Sequence, residues 1–439
     1  MSKKIKVVEA VNQLSLGGTE YALQLYSKYL NKELFEVVVV AIYNGGERVK
    51  LIEALGVQVI VLDGDLKRFE EILKSTDVFH WHGNGILDDK IFSLLEKFKP
   101  DLVVQTNVFG YFDNSQYYKL IDYDLYVSKM ILVRRMQLDK KLLNKFENKR
   151  KVLSYPVDIE HLQSLSPTDE EISLFKKEND LTGHFVVGRI GRSDDHKFDL
   201  ITLDGFAEFA KTKENVRFLL VGSTPKILQH AKKLNILDKM LILETSSDLS
   251  VLLLYYKSLD VFLAASNIGE SFGMVIAEAM FSGIPVVTIS TPEKDNAQIE
   301  LVDNGLNGFV VPRLKNKIGA ALSELYEISE QRVSFSKMAR IKVLEKYAAK
   351  NIVLSFEKLV LEHISSKKQE VNRSTLVMDF SESLIEDYKY RCNDLYGTLN
   401  VTDRIVLSNQ NAKKYFSFSF LKHFLKQKIN MIFEKSNVL

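Results

Sequence analysis

The feature of this sequence that most limits its fold is a repeated alternation of short runs rich in valine and isoleucine with longer segments of helical period. Two of the runs, residues 37–40 (VVVV) and 59–62 (VIVL), are apolar at every position. A strand that is apolar on both sides has to be covered on both sides, as in a parallel sheet between helices. The alternation therefore predicts a doubly wound α/β fold.

The alternation occurs twice, first over residues 5–127 and again from residue 185 to residue 289. The polar segment 164–171 lies between the two units, and its Thr-Asp-Glu-Glu run suits the start of a helix. We expect an N-terminal domain at 1–165 and a C-terminal domain at 175–365, completed by helices at 318–328 and 333–364. Open α/β sheets bind ligands at the carboxyl ends of their strands, so we expect the site in the cleft between the domains.

Composition excludes several classes of protein. The 439 residues are 46% hydrophobic and 26% charged, which is typical of a packed globular chain. A formal net charge of +2 is too small to indicate a nucleic-acid partner. The one cysteine, Cys392, excludes an intramolecular disulfide and a zinc site built on cysteines, and no apolar run approaches about 20 residues. A cytoplasmic protein is expected, attached at most to a membrane surface.

The last segment, 366–439, does not continue the alternation of strand-like and helical runs, and we expect a helical extension there. Residues 413–435 carry six lysines and one glutamate among aromatic side chains. Such a segment can lie on the inner, anionic face of a membrane. It can equally form an amphipathic helix that packs on the body of the protein or on a partner.

The segment most informative about chemistry is 264–280 (AASNIGESFGMVIAEAM), which is followed by 283–287 (GIPVV). The pattern predicts a strand, a loop, a helix that begins near Ser271 or Phe272, a tight turn and another strand. Free amide groups at the start of a helix bind anions, here a diphosphate. The residues expected to contact that ligand are Phe272, Gly273, Met274 and Val275.

Two glutamates flank this expected anion site. Glu270 precedes it, and Glu278 follows eight residues later, about 12 Å away along a helix. The carboxyl groups of a retaining glycosidase are only about 5 Å apart, so the spacing does not suit an acid and nucleophile pair. It suits an elongated ligand held at both ends, with solvated glutamates on a helix as the alternative.

A group of basic residues lies near the start of the second domain. Arg189, Arg192 and Lys197 follow a strand and a glycine turn, at the expected mouth of the cleft. Arginine can grip phosphate oxygens with two hydrogen bonds, and lysine offers a compact charge. The alternative is a set of surface charges on a loop.

Two features of the first domain face the same cleft. Gly17 and Gly18 lie between the first strand and the first helix, where backbone amides can meet an anion or an acceptor. His80 and His82 share one face of a strand by the period of two, with His82 nearer the cleft. His82 is a candidate site residue, with a core histidine as the alternative. No zinc is expected there, because no third ligand is evident.

Together these motifs resemble the retaining glycosyltransferases of family 4, which have the GT-B fold of two facing Rossmann-like domains. The resemblance covers residues 5–360 and rests on the Glu-x7-Glu pattern of Glu270 and Glu278. It implies that the first domain takes the acceptor and the second a nucleotide-sugar donor. It further implies that Glu270 contacts donor sugar hydroxyls and Glu278 the ribose.

The same resemblance assigns the donor diphosphate to an Arg and a Lys five residues apart, which Arg192 and Lys197 match, with Arg189 as a competitor for the first role. It assigns a contact with the donor sugar or acceptor to His82, and the Gly17-Gly18 loop would reach toward the reacting centre.

This sequence departs from the family pattern in three places. Asn107 stands where many relatives have a histidine, and residues 154–158 (SYPVD) stand where they read Asn-Gly-Val-Asp. The segment 243–248 (LETSSD), with Thr245 as the candidate contact to the nucleotide, lacks the usual glycine.

The resulting hypothesis is a retaining glycosyltransferase that needs neither a metal nor another cofactor. It would move a sugar from a nucleoside diphosphate sugar to a hydroxyl of a glycan or lipid-linked acceptor. The alternatives are a non-catalytic nucleotide-sugar or glycan binding protein and another GT-B enzyme, such as a nucleotide-sugar epimerase.

Overall fold

The computed structural model describes residues 3–138, 149–364, 375–397 and 399–406, and these build two large sheets flanked by helices. The elements of the first domain are β1 (Ile5–Gln13), α1 (Gly18–Tyr29), β2 (Phe35–Asn44), α2 (Arg48–Glu53), β3 (Gln58–Val61), α3 (Leu66–Leu73), β4 (Val78–Gly83), α4 (Asp89–Lys97), β5 (Leu102–Asn107), β6 (Tyr123–Tyr126), α5 (Lys129–Leu138), β7 (Arg150–Val152) and α6 (Ile159–Ser164). Their strands are parallel, in the order β7-β6-β5-β4-β1-β2-β3.

The second domain repeats this plan. Its elements are α7 (Asp169–Glu178), β8 (Phe185–Ile190), α8 (Ile201–Ala210), β9 (Val216–Val221), α9 (Pro225–Lys233), β10 (Met240–Leu243), α10 (Leu249–Lys257), β11 (Val261–Ala264), β12 (Gly269–Glu270), α11 (Met274–Phe281), β13 (Val286–Ile289), β14 (Asp295–Asn296), α12 (Gln298–Leu301), β15 (Gly308–Val311) and α13 (Lys315–Glu327). The parallel sheet has the order β10-β9-β8-β11-β13-β15, and β12 pairs separately with β14.

The helix predicted at α7 begins as its sequence indicated. The Thr168 hydroxyl accepts a hydrogen bond from the Glu171 amide, and the Glu171 carboxylate accepts one from the Thr168 amide. This reciprocal cap satisfies two amides that a helix start leaves without partners, so it confirms the start predicted from the Thr-Asp-Glu-Glu run.

The helix predicted over residues 333–364 is two helices, α14 (Ser329–Lys346) and α15 (Ala349–Ile364). The chain opens between them because Val157 pairs with the backbone there. The Val157 amide donates to the Tyr347 carbonyl at 2.8 Å, and the Ala349 amide donates to the Val157 carbonyl at 2.8 Å. From this crossing point α15 returns to the first domain, where Phe356 packs against Tyr26 of α1.

The C-terminal extension contains a strand that the sequence did not predict. β16 (Met378–Asp379) pairs antiparallel with β7, and α16 (Glu382–Gly397) follows it. The basic aromatic segment at 413–435 lies outside the described residues. Within the described part of the chain, no helix combines the length and the apolar composition that a membrane crossing requires.

Candidate functional site

The site centres on a pair of opposite charges in the second domain. Lys197 lies on the loop that follows β8, and its Nζ is 3.1 Å from the Glu270 Oε2. The Asp194 carboxylate accepts the His196 amide at 2.8 Å, and the Asn267 amide donates to the Lys197 carbonyl at 2.8 Å. These bonds hold the lysine loop against the loop that carries Glu270, so the cation and the carboxylate are positioned before any ligand arrives.

Glu270 is held by the small sheet of β12 and β14. Its carbonyl accepts the Ala297 amide at 2.9 Å, and its neighbour Gly269 pairs with Asp295. Gly269 has φ +76°, and a Cβ there would lie 1.7 Å from the Asp295 carbonyl oxygen. Only glycine permits this close approach, so the sequence Gly-Glu presents the carboxylate from a rigid support.

The helix after Glu270 begins later than the sequence indicated. It starts at Met274, not near Ser271 or Phe272, because Gly273 has φ +106°, a left-handed conformation outside the helical range. Phe272 is buried, and its ring packs on Tyr155. The free amides at the helix start therefore include those of Met274 and Val275, and the predicted start near Ser271 or Phe272 was two or three residues too early.

The three predicted cations differ in their surroundings. Arg189 is buried beside Glu270 and donates to the Ile190 carbonyl. Burial lowers the pKa of Arg189, and the Glu270 charge opposes this shift. Arg192 is exposed on the loop between β8 and Lys197, and its charge contributes to lowering the pKa of Asp194. Of the two arginines, Arg192 is the one exposed to solvent.

Glu278, the second glutamate of the motif, is partly buried on α11. Its Oε2 accepts a hydrogen bond from the Tyr256 hydroxyl at 2.9 Å. Burial raises the pKa of Glu278 to about 7, although the Tyr256 bond acts in the opposite direction. Tyr21 of α1 feels the charge of Glu278, which contributes to raising its pKa, so Glu278 lies near the first domain.

The loop of Gly17 and Gly18 is held by residues far away in the sequence. The Arg48 Nε donates to the Ser15 carbonyl at 3.0 Å, and the Tyr155 hydroxyl donates to the Gly18 carbonyl. Gly17 is the residue before α1, as predicted for a loop that starts a helix.

Tyr155 has a structural role that accounts for part of the difference between residues 154–158 and the family pattern. Its ring stacks on Phe272 of the second domain, with 5.7 Å between centroids and 28° between planes. Tyr155 therefore joins the Gly17-Gly18 loop to the start of α11, and the asparagine of the Asn-Gly-Val-Asp pattern has no ring to make this stack. Sequence reasoning noted the change but did not predict this contact across the cleft.

His82 lies in a buried cluster with His80 and Glu9. The His82 Nε2 is 2.6 Å from the Glu9 Oε2, and the His80 Nδ1 is 2.9 Å from the same oxygen. His80 also bonds the Thr106 hydroxyl at 2.8 Å. His82 is 1% exposed, which favours the core-histidine interpretation over a contact with sugar.

The cluster does contain a third potential zinc ligand, Glu9, which was not evident from the sequence. Its three potential ligand atoms lie within 4.8 Å of one another. The Glu9 Oε2 is hydrogen-bonded to the His82 Nε2 and lies 2.9 Å from the His80 Nδ1, and all three side chains are buried, so the cluster lacks the open position of a catalytic metal site. The donor set therefore fits an internal hydrogen-bonded network better than a catalytic metal.

The pKa values of Glu9 and His82 are strongly shifted in this cluster. Burial by itself would raise the pKa of Glu9, but His80 and His82 lower it to about 2. Burial, together with the neighbouring His80, lowers the pKa of His82 to about 4. Near neutral pH, Glu9 is therefore ionised and the His82 ring is neutral.

The remaining predicted positions are Asn107 and Thr245. Asn107 is buried, accepts the Gly110 amide at 2.8 Å and donates to the Tyr111 carbonyl at 3.0 Å, so it shapes the loop after β5. Thr245 is exposed on the loop after β10, at the carboxyl edge of the second sheet.

A contact between the domains next to Glu270 was not predicted. The Arg134 Nη1 lies 3.3 Å from the Asp295 Oδ1, and the Arg135 Nη2 lies 3.5 Å from the same oxygen. Asp295 also accepts the Ser271 hydroxyl at 3.1 Å. Two adjacent arginines on a helix were the only sequence signal, and their partner is about 160 residues away.

Part of this chain is similar in sequence to known glycosyltransferases. Residues 184–328 match the model of the family described as "Glycosyl transferases group 1". The alpha-monoglucosyldiacylglycerol synthase of Acholeplasma laidlawii is 24% identical over 270 residues, which are 59% of this chain and 63% of that protein. The chain therefore spans less than two thirds of the length of this curated relative.

Solved structures show the same architecture. A glycosyltransferase from Rickettsia africae has a TM-score of 0.68 and 17% identity, and an Anabaena protein in complex with UDP and glucose has a TM-score of 0.64 and 18% identity. Each comparison covers 83% of this chain and 100% of the other. The fold is the GT-B fold of two Rossmann-like domains, which confirms the fold predicted from the sequence.

Proposed function

We propose that this chain is a retaining glycosyltransferase that moves a sugar from a nucleoside diphosphate sugar to a hydroxyl of a glycan or lipid-linked acceptor. The observation that carries the proposal is the preformed pair of Lys197 and Glu270 beside the start of α11. A cation and free helix amides suit a departing diphosphate, and a carboxylate beside them suits sugar hydroxyls. The match of residues 184–328 to a glycosyltransferase family supports this assignment.

The leaving group would be stabilised by three sources of positive charge. Lys197 supplies a compact ammonium, Arg192 an exposed guanidinium, and the start of α11 the amides of Met274 and Val275. Together they would do the work for which other enzymes use a divalent metal, so we propose that the reaction needs no metal. Arg189 would act indirectly, by placing its buried charge near Glu270.

The donor would lie along α11. Glu270 would accept hydrogen bonds from the sugar, and Glu278 would accept them from the ribose, with Thr245 near the base. UDP is the first nucleotide to consider, because the Anabaena structural neighbour was solved with UDP and glucose.

The transfer itself would be a same-face displacement. The bond from the anomeric carbon to the β-phosphate oxygen breaks, and the bond from that carbon to the acceptor oxygen forms. The proton of the acceptor hydroxyl passes to an oxygen of the departing β-phosphate. His82 is not needed, because its Nε2 is bonded to Glu9 inside the domain. The anomeric configuration of the product, read by NMR, tests retention.

The acceptor would bind on the first domain, near the Gly17-Gly18 loop. A lipid-linked acceptor is one candidate, because the Acholeplasma relative is an alpha-monoglucosyldiacylglycerol synthase.

Nucleotide binding without metal is the first test of the proposal. Thermal shifts with UDP, GDP, ADP and CMP in EDTA should give one clear response, since a ligand at 100 times its dissociation constant adds about 2.7 kcal/mol to the free energy of unfolding. We expect the response to UDP to be lost in Glu278→Ala and kept in Glu214→Ala, which removes an exposed glutamate elsewhere. An absent response to all four nucleotides, or an equal response in both variants, would contradict the proposal.

The raised pKa of Glu278 predicts how UDP binding depends on pH. The ionised carboxylate accepts hydrogen bonds from ribose hydroxyls, so affinity should rise as the pH passes upward through about 7. Between pH 6 and pH 8 the gain should be about fivefold to tenfold, the change in the ionised fraction for a group with that pKa.

Calorimetric titration of wild type and Glu278→Gln measures this gain. Protonation of UDP itself affects both proteins equally, so the ratio of their dissociation constants isolates the Glu278 contribution. A ratio that stays constant from pH 6 to pH 8 would show that Glu278 does not contact the nucleotide as a carboxylate.

A further inference from the structure

Two aromatic side chains are exposed on the loop after β5. Phe109 is 44% exposed and Tyr111 is 45% exposed, and their ring centroids are 6.5 Å apart. None of the site residues predicted from the sequence lies on this loop. Large apolar side chains left in solvent and close together commonly mark a binding surface.

The loop is built to hold these rings in place. The buried Asn107 amide donates to the Tyr111 carbonyl at 3.0 Å, and its carbonyl oxygen accepts the Gly110 amide at 2.8 Å. Gly85, with φ +105°, lets the neighbouring loop approach so closely that a Cβ would lie 2.1 Å from the Tyr111 carbonyl oxygen. The backbone that carries the rings is therefore fixed by its own contacts before a ligand binds.

The loop also lies beside the reacting centre. Arg135 donates to the Phe109 carbonyl at 3.1 Å, and its guanidinium lies 4.6 Å from the centre of the Tyr111 ring. The same Arg135 is 3.5 Å from the Asp295 carboxylate, which holds Ser271, the residue after Glu270. Two contacts thus connect the aromatic pair with the loop of the donor site.

We propose that Phe109 and Tyr111 form an acceptor subsite that stacks on a pyranose ring of the acceptor, whether that sugar is free or linked to a lipid. The subsite rests on the function proposed above. The C–H face of a sugar ring is apolar and slightly positive, which complements the negative face of an aromatic ring. Either ring can meet the C–H face of a sugar, and the guanidinium of Arg135, 4.6 Å from the centre of the Tyr111 ring, suits hydroxyls at the edge of that sugar.

The experiment uses octyl β-D-glucoside, octyl β-D-galactoside and octyl N-acetyl-β-D-glucosaminide, which carry a sugar ring and an alkyl chain in one molecule. Saturation-transfer NMR in the presence of UDP reports which protons touch the protein. In wild type we expect saturation of the ring C–H protons by at least one probe. Binding should weaken about threefold to tenfold in Phe109→Leu, the factor of one aromatic contact.

Two further variants serve as controls. Phe109→Tyr keeps an aromatic ring and should keep the signal. Tyr390→Leu removes a still more exposed ring, on α16 and away from this loop, and should also keep the signal. Equal ring saturation in wild type and Phe109→Leu would overturn the subsite. So would saturation confined to the octyl chain, which would indicate a lipid surface, or no saturation with any probe.

The experiments can refute the acceptor subsite and the transferase function independently of each other. A UDP thermal shift without sugar saturation would overturn the subsite and leave the transferase intact. Ring saturation that is lost in Phe109→Leu, without a shift by any nucleotide, would overturn the transferase and leave a sugar-binding surface. The UDP shift itself should be unchanged in Phe109→Leu, because no donor contact is assigned to Phe109.

Discussion

Lys197→Ala should lower kcat by about 10²–10³-fold, the usual cost of one group that stabilises charge in a transition state. The Lys197 ammonium is the cation nearest to Glu270, so its loss leaves the departing diphosphate with less positive charge and the carboxylate without its ion pair. KM for the donor should change less than kcat, because the charge on the leaving oxygen grows as the bond breaks. Initial rates with the nucleotide sugar identified by thermal shift measure both constants.

Lys213→Ala is the matched control. Lys213 forms an ion pair with Glu327 at 2.9 Å, on the far side of the second domain from the cleft loops, and should keep wild-type rates. Lys197→Arg should recover part of the activity, since it keeps the charge but changes its position. The Lys197 side chain is 30% exposed, so little stability depends on its ion pair, about 0–1 kcal/mol. Wild-type kcat in a folded Lys197→Ala protein would refute its assigned role.

Glu9→Ala should have the largest effect on stability, a loss of about 3–5 kcal/mol, as is typical when one partner of a buried charged network is removed. Glu9 is completely buried, is hydrogen-bonded to the His82 Nε2 and lies 2.9 Å from the His80 Nδ1, so its removal leaves the His82 nitrogen without its partner and takes the carboxylate charge away from His80. Urea unfolding at pH 7 measures this loss. Glu36→Ala on the neighbouring strand β2 removes an exposed glutamate and should change stability by less than about 0.5 kcal/mol.

The same cluster predicts the response to acid. The pKa of His82 falls from 6.5 to about 4 on folding, so the unfolded chain takes up that proton first and stability declines as the pH falls from about 6.5 towards 4. The pKa of Glu9 falls from 4.5 to about 2, so a further loss follows as the pH falls from about 4.5 towards 2.

Glu9→Gln separates this contribution from those of the other carboxyl groups. Its unfolding free energy should be lower than that of wild type at pH 7, and the gap should narrow as the pH falls below about 4.5, because the unfolded wild type then takes up a proton on Glu9 that the folded protein does not. Urea unfolding curves at pH 7, 5.5 and 4 test this convergence. A gap that is independent of pH would mean that Glu9 does not act through its charge.

Much of the fold could be predicted because its signals are local. The runs at 37–40 and 286–289 became parts of β2 and β13, since apolar residues on both faces suit a strand covered by helices on both sides. The start of α7 was predicted from two residues three positions apart, which form its cap. The spacing of Glu270 and Lys197 from their strands was enough to place both at the carboxyl edge of the second sheet.

The sequence by itself thus determined the two alternating units, their doubly wound class and the edge of the sheet at which the charged motifs lie. Only the tertiary structure decided that Gly273 turns to a left-handed conformation and delays α11, that Tyr155 crosses to Phe272, and that Glu9 joins His80 and His82 in the core. The physical reason is the range of the interactions. Strand and cap patterns arise between near neighbours, whereas the contacts of Tyr155 with Phe272 and of Glu9 with His82 join residues that are far apart in the chain.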